Sequence, residues 1–151
     1  VLDLIYEAPV TGKGWEPAFS YDYMKFGQSD VKMYGYALGK YWGNWYYRWK
    51  TLVVPSEPRT SVSHRVLARN YYNGTADDYV EITGGFGRGG EYRRRSTIVE
   101  TTRSSSVGVA VQKYFGPQWG IKLSGDYGSE HDANSTTLTE RGISVSLLFR
   151  W

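Results

Sequence analysis

Cysteine is absent from the 151 residues, so neither disulfides nor thiolate-bound metals hold this fold. No apolar run approaches the roughly 18 residues that a membrane-crossing helix needs, which excludes a helical inner-membrane protein. Histidine is limited to His64 and His131. No basic, apolar leader stands at Val1, which leaves any secretory signal outside this sequence. The net charge of +3 is too small to argue for nucleic acid, and no nucleic-acid partner is expected.

What is plentiful is aromatic side chains and glycine: 14 Tyr, 6 Trp and 18 Gly. Such enrichment without long apolar runs suits many short β-strands, and the excess of Tyr and Trp suits membrane interfaces. The last ten residues show the pattern most plainly. Ile143, Val145, Leu147, Phe149 and Trp151 alternate with Gly142, Ser144, Ser146 and Arg150, which gives a strand one apolar face and one small or polar face. Leu148 is the only break. An edge strand of a soluble sheet is the competing reading, but nothing after Trp151 supplies a second layer, and lipid could. Ending in an aromatic resembles the insertion signal at the C-terminus of bacterial outer-membrane barrels, which implies that barrel assembly machinery is a partner.

The same alternation recurs along the chain. Strands are expected near 2–8, 15–24, 31–41, 45–53, 60–72, 79–86, 106–115, 119–127 and 142–151, with no credible helix. Trp42 to Asn44, Asn73 to Ala76 and Gly116 to Pro117 make short connections. Pro55 to Arg59, Arg88 to Arg103 and Ser129 to Thr137 make longer ones, the second read as a long loop with extended flanks because it lacks an apolar stripe. Short turns at one end and longer loops at the other, strands of about 10 to 13 residues, and aromatics at strand ends (Trp15, Trp45, Tyr72, Phe115, Trp119, Tyr127, Trp151) together predict an all-β, antiparallel up-and-down transmembrane β-barrel of the bacterial outer membrane. Residues 1–151 form a single barrel domain. Nine strands are an odd number for a bacterial barrel, so either N-terminal strands of a larger barrel precede Val1 or the first stretch does not cross the membrane.

Charges gather on the face opposite the aromatics. Asp3, Glu7, Glu16 and Asp22 fall on the first two strands, and Arg48, Lys50, Arg65 and Arg69 on the fourth and fifth. Glu81, Lys122, Asp126, Glu140 and Arg150 follow. An acidic wall opposite a basic wall either fills the interior with ion pairs or lines a water channel; filling is favoured because confined charges are costly unless paired.

Tyr36 to Pro55, with Leu38-Gly39-Lys40-Tyr41, Trp42-Gly43-Asn44-Trp45 and Leu52-Val53-Val54-Pro55, resembles the YaiO-type outer-membrane β-barrel family. The likeness continues through Arg69-Asn70-Tyr71-Tyr72, Ala76-Asp77-Asp78-Tyr79-Val80 and Gly84-Gly85-Phe86-Gly87-Arg88 to the aromatic last strand. It implies a bacterial outer-membrane barrel longer at its N-terminus than this chain. It supplies no catalytic residue. Some members stand beside or are fused to machinery that handles surface polysaccharide, so the resemblance implies a channel or accessory barrel for export or assembly of a polysaccharide or other envelope component.

Three constellations could carry chemistry. Arg88, Arg93, Arg94, Arg95 and Arg103, placed in one outer loop, could bind lipopolysaccharide phosphates or an anionic glycan, or could simply be solvated beside Glu91 and Glu100. His64 with Ser61 and Ser63, or His131 with Ser129, Glu130, Asp132 and Ser135, could assemble a nucleophile and base acting on lipid or glycan; this enzyme reading is the minor alternative. A structural subunit that binds other envelope proteins through its rim is another. Gly84 to Gly90 lacks the Lys-Ser or Lys-Thr and the helix of a nucleotide loop, and is read as rim backbone. No metal or cofactor is expected.

Overall fold

The protein is described from a computed structural model, which covers residues 2–7, 12–26, 29–55, 60–92, 99–131 and 137–151, with side chains at all of these except 2, 3, 7, 26, 29, 90–92 and 99–102. Nine strands occupy those residues: β1 Leu2–Glu7, β2 Trp15–Phe26, β3 Ser29–Trp42, β4 Trp45–Val54, β5 Ser61–Tyr71, β6 Tyr79–Tyr92, β7 Val99–Tyr114, β8 Trp119–His131 and β9 Thr137–Phe149. Each pairs antiparallel with its chain neighbours in one sheet of order β1 to β9. The sheet is open in this structure: β1 and β9 are its two edges and do not pair with each other.

Register fixes two faces. The outer face carries Phe19 against Tyr36 and Tyr21 against Tyr34, with ring centroids 5.4 and 5.3 Å apart, and Trp119 against Phe149 at 4.6 Å. Aromatic cross-strand pairs of this kind hold neighbouring strands in register. Ile143, Val145, Leu147, Phe149 and Trp151 are all exposed, Ile143 at 92 % and Trp151 at 101 %. Among the described residues the buried apolar side chains are only Tyr46, Tyr79 and Ala110, all on the other face. The sheet therefore has no water-excluding core beneath its apolar side, the inside-out arrangement of a membrane barrel.

Short connections gather at one end. Gly43, with φ of +58°, helps turn β3 into β4 within two residues, and Asn73 (+58°) with Gly74 (+66°) reverses the chain after β5. Gly116 turns β7 into β8 at the same end. This turn end also gathers Trp15, Trp42, Trp45, Tyr72, Phe115, Trp119, Phe149 and Trp151, a girdle along one rim; Tyr127 lies farther along β8. The opposite end is here termed the loop end.

Two expectations are corrected. The extended flanks expected in the stretch from Arg88 to Arg103 are paired strand, with β6 and β7 joined up to Tyr92 and Val99, so the stretch is not one long loop. Its missing apolar stripe reflects strands that continue beyond the apolar band, where neither face needs grease. The Gly84 to Gly90 stretch is likewise paired strand up to Gly90. Small residues suit this stretch: a Cβ on Gly87 would stand 3.1 Å from Ser63 Cβ and 3.2 Å from the Val62 carbonyl oxygen, and one on Gly85 would displace the Ser106 hydroxyl, 2.6 Å away.

Candidate functional site

The face opposite the aromatics is the chemically rich one. Register brings Asp3, Glu7, Glu16, Asp22, Arg48, Lys50, Arg65, Arg69, Glu81, Lys122, Asp126 and Glu140 onto it. The side chains of Asp3 and Glu7 lie outside the described residues. Acid and base are not arranged simply as wall against wall. Lys50 pairs directly with Arg65, and the basic β5 meets the acidic Glu81 of β6 side by side.

At the turn end this face is filled. Glu81 accepts from Arg69 Nε at 2.8 Å and is also ion-paired with its terminal nitrogen. The Arg69 guanidinium lies over the Tyr79 ring, 4.3 Å from its centroid. Tyr79 donates to Gln112 Oε1 at 3.1 Å, and Gln112 Nε2 donates to the Asp77 carbonyl at 2.8 Å. Reaching over β3 from β4, Tyr46 donates to Glu16 of β2 at 2.7 Å and packs on Tyr41 of β3 with centroids 4.5 Å apart. Tilted ring packing and charge-assisted hydrogen bonds fill the space that apolar side chains fill in a soluble core.

The connection from β5 to β6 is locked to this plug. Asp78, 5 % exposed, accepts from the Tyr114 backbone N–H at 2.8 Å and from Asn73 Nδ2 at 2.9 Å. Those donors, the backbone one first, hold its carboxyl below the usual carboxylate range. Asp77 takes both Arg150 terminal nitrogens, at 2.8 and 3.2 Å, and the guanidinium lowers its pKa. Arg150 was expected on the interior wall. It follows the end of β9 and reaches the turn-end rim, where Asp77 is its bidentate partner and its guanidinium lies 4.9 Å from the ring centroid of Tyr114.

At the loop end the same face is open and small. Ser63, Gly85, Ser104, Ser106 and Gly128 line a cavity of about 400 Å³, with Arg65 on one side and Glu130 and Glu140 on the other. Hydroxyls, a guanidinium and carboxylates together offer donors and acceptors, and Phe86 and Leu138 add apolar surface to the same lining.

His64 is among the residues lining this cavity, but its ring, like that of His131, lies on the other face. His64 points to the outer face, away from Ser61 and Ser63, and shares a 2.9 Å hydrogen bond with Thr51 Oγ1 while its ring lies 4.9 Å from Phe86. His131 also faces outward, with Nδ1 3.4 Å from Ser129 Oγ, and Glu130 lies on the opposite face. Asp132 and Ser135 lie outside the described residues, as do Arg93, Arg94 and Arg95. Arg88 and Arg103 are neighbours across β6 and β7, on the outer face. Asp77, Asp78 and Gln112 were not singled out from the sequence. The Asn73-Gly74 turn signals a local contact between Asn73 and Asp78, but not the Tyr114 backbone donor, which comes from another strand.

The model of a family described as the YaiO membrane beta barrel domain matches residues 4–92. This chain belongs to that family. The match covers β1 to β6, and with them Glu16, Tyr46, Arg69, Asp78, Tyr79 and Glu81 of the filled turn end. Gln112 and Tyr114, which complete the YaiO-family chain's plug, and the loop-end residues of β7 to β9 lie beyond it. No curated protein and no solved structure matches the chain.

Proposed function

We propose that this chain is an integral barrel of the bacterial outer membrane, inserted there by barrel assembly machinery. In this reading it serves export or assembly of a surface polysaccharide as an accessory barrel, holding a glycan at its loop-end mouth. The observation that carries the reading is the contrast along one face, from a cross-linked turn end to an open, hydroxyl-lined loop end. A sugar chain presents many hydroxyls and, when acidic, carboxylates. Serines, Glu130 and Glu140 match the sugar hydroxyls and Arg65 an acidic group, whereas an open pore would need the turn end cleared of Arg69, Glu81, Tyr79 and Gln112. The separation of His64 from Ser61 and Ser63 gives the enzyme reading less to work with.

Ser104→Trp in the full-length protein narrows the mouth without touching the plug. It is expected to lower surface polysaccharide several-fold while the protein still fractionates with the outer membrane and keeps its heat-dependent shift on gels. Unchanged polysaccharide with correct fractionation would remove the glycan role; recovery in another fraction would remove the outer-membrane placement.

A further inference from the structure

The outer face of β6 to β9 carries a feature that a glycan at the mouth does not use. Arg88, Arg103 and His131 stand in one row across β6, β7 and β8, each the register partner of the next, and all three are exposed. Neighbouring strands are about 4.8 Å apart, so two guanidinium groups and an imidazole crowd one short line. Like charges placed directly opposite each other on a sheet destabilise it. No carboxylate among the described residues pairs with Arg88 or Arg103. Glu130 and Glu140, the nearest acids along β8 and β9, face the other side. A nearby third guanidinium, Arg141, lies on the same outer face with its charge 5.7 Å from the Tyr127 ring centroid.

Below this row Phe86 stands exposed on β6, and beyond it the outer face is hollowed. Ala68 and Gly84 are the small residues between Trp49, Val66, Ile82 and Val107, and the groove over them, which runs on to Leu38 and Trp15, holds about 620 Å³. Gly84 lies four residues from Arg88 on β6, about 13 Å along the strand. A cationic row lies at one end and an apolar groove below it, both on the face turned toward lipid. The geometry points to a binding site for a phosphorylated glycolipid of the outer leaflet: the phosphate sits on Arg88 and Arg103 with His131 beside them, and an acyl chain lies in the groove over Ala68 and Gly84. Arginine binds phosphate with paired N–H groups, and the phosphate removes the repulsion that the empty row carries. A free anion would satisfy the charges but leave the groove unused. A water-soluble glycan would do the same.

The inference rests on the outer-membrane placement proposed above, and its test is independent of it. The full-length protein, folded in neutral detergent, is incubated with bisphosphorylated lipid A or with the same lipid stripped of phosphate, and the retained lipid is measured after removal of the excess. The native protein is expected to retain the phosphorylated form about tenfold more than the stripped form. Arg88→Gln with Arg103→Gln is expected to abolish that preference, with the heat-dependent gel shift unchanged. Gly84→Leu, which fills the groove and leaves the charges in place, is expected to lower retention several-fold. Equal retention of both lipids by the native protein overturns the proposal whatever the variants do. So does displacement of the lipid by inorganic phosphate at equal concentration, which would assign the row to a small anion.

Discussion

At the turn end of the polar face, Arg69, Glu81, Tyr79 and Gln112 bond to one another and to the turn beyond them; at the loop end, the same strands present Ser63, Gly85, Ser104 and Ser106. The strands and the register are continuous between the two, so the difference lies in the side chains alone. A barrel whose outside is apolar must place its polar groups inside, and it can either satisfy them with each other or leave them to water and ligand. Here each end takes one of those courses. Stability should therefore be concentrated at the turn end and recognition at the loop end.

The largest break in that contrast is expected from Arg69→Leu. It strands Glu81, whose side chain is 13 % exposed, and should cost about 3 kcal/mol in urea unfolding measured in lipid vesicles. The double variant Arg69→Leu with Glu81→Leu should recover most of that loss, because the uncompensated charge rather than the missing pair is the main cost. A smaller effect is expected from Asp78→Asn, which keeps an acceptor for the Tyr114 N–H but turns a donor toward Asn73. It also changes the acid limb of stability. The Asp78 and Asp77 carboxyls are held below their unfolded values, so what they contribute is fully present above about pH 4 and is lost as pH falls through their folded pKa values. Stability of the native protein should fall over that acid range more steeply than that of Asp78→Asn. Arg150→Gln removes an exposed pair, 54 % and 41 % accessible, and should barely shift the unfolding midpoint. Ser104→Ala and Ser106→Ala, at the loop end, should stay within about 0.5 kcal/mol of the native protein.

Much of this was legible in the sequence because strand periodicity is local. Alternation in Trp45 to Val53 or Trp119 to Tyr127 places each residue on its face without knowledge of any partner. The same parity put Glu16, Arg69 and Glu81 together on the polar face. It could not tell that Arg69 bonds to Glu81, because that depends on register between strands, and register depends on the lengths of the turns. It also failed from Arg88 to Arg103, where the strands leave the apolar band and the stripe that reveals a strand disappears. Asp78 was missed for a related reason. Its role depends on the backbone of Tyr114, 36 residues away, which no local pattern could reveal.

The central claim is that the polar face is closed at the turn end and open at the loop end, and the absence of cysteine makes it directly testable. Ser106→Cys and Ala110→Cys place single thiols four residues apart on the polar face of β7, the first in the loop-end cavity and the second buried at the turn end. Labelling intact cells with a membrane-impermeant thiol reagent should modify Cys at position 106 rapidly and leave position 110 unmodified until the protein is unfolded. Equal labelling of the two, or faster labelling at position 110, would contradict the account.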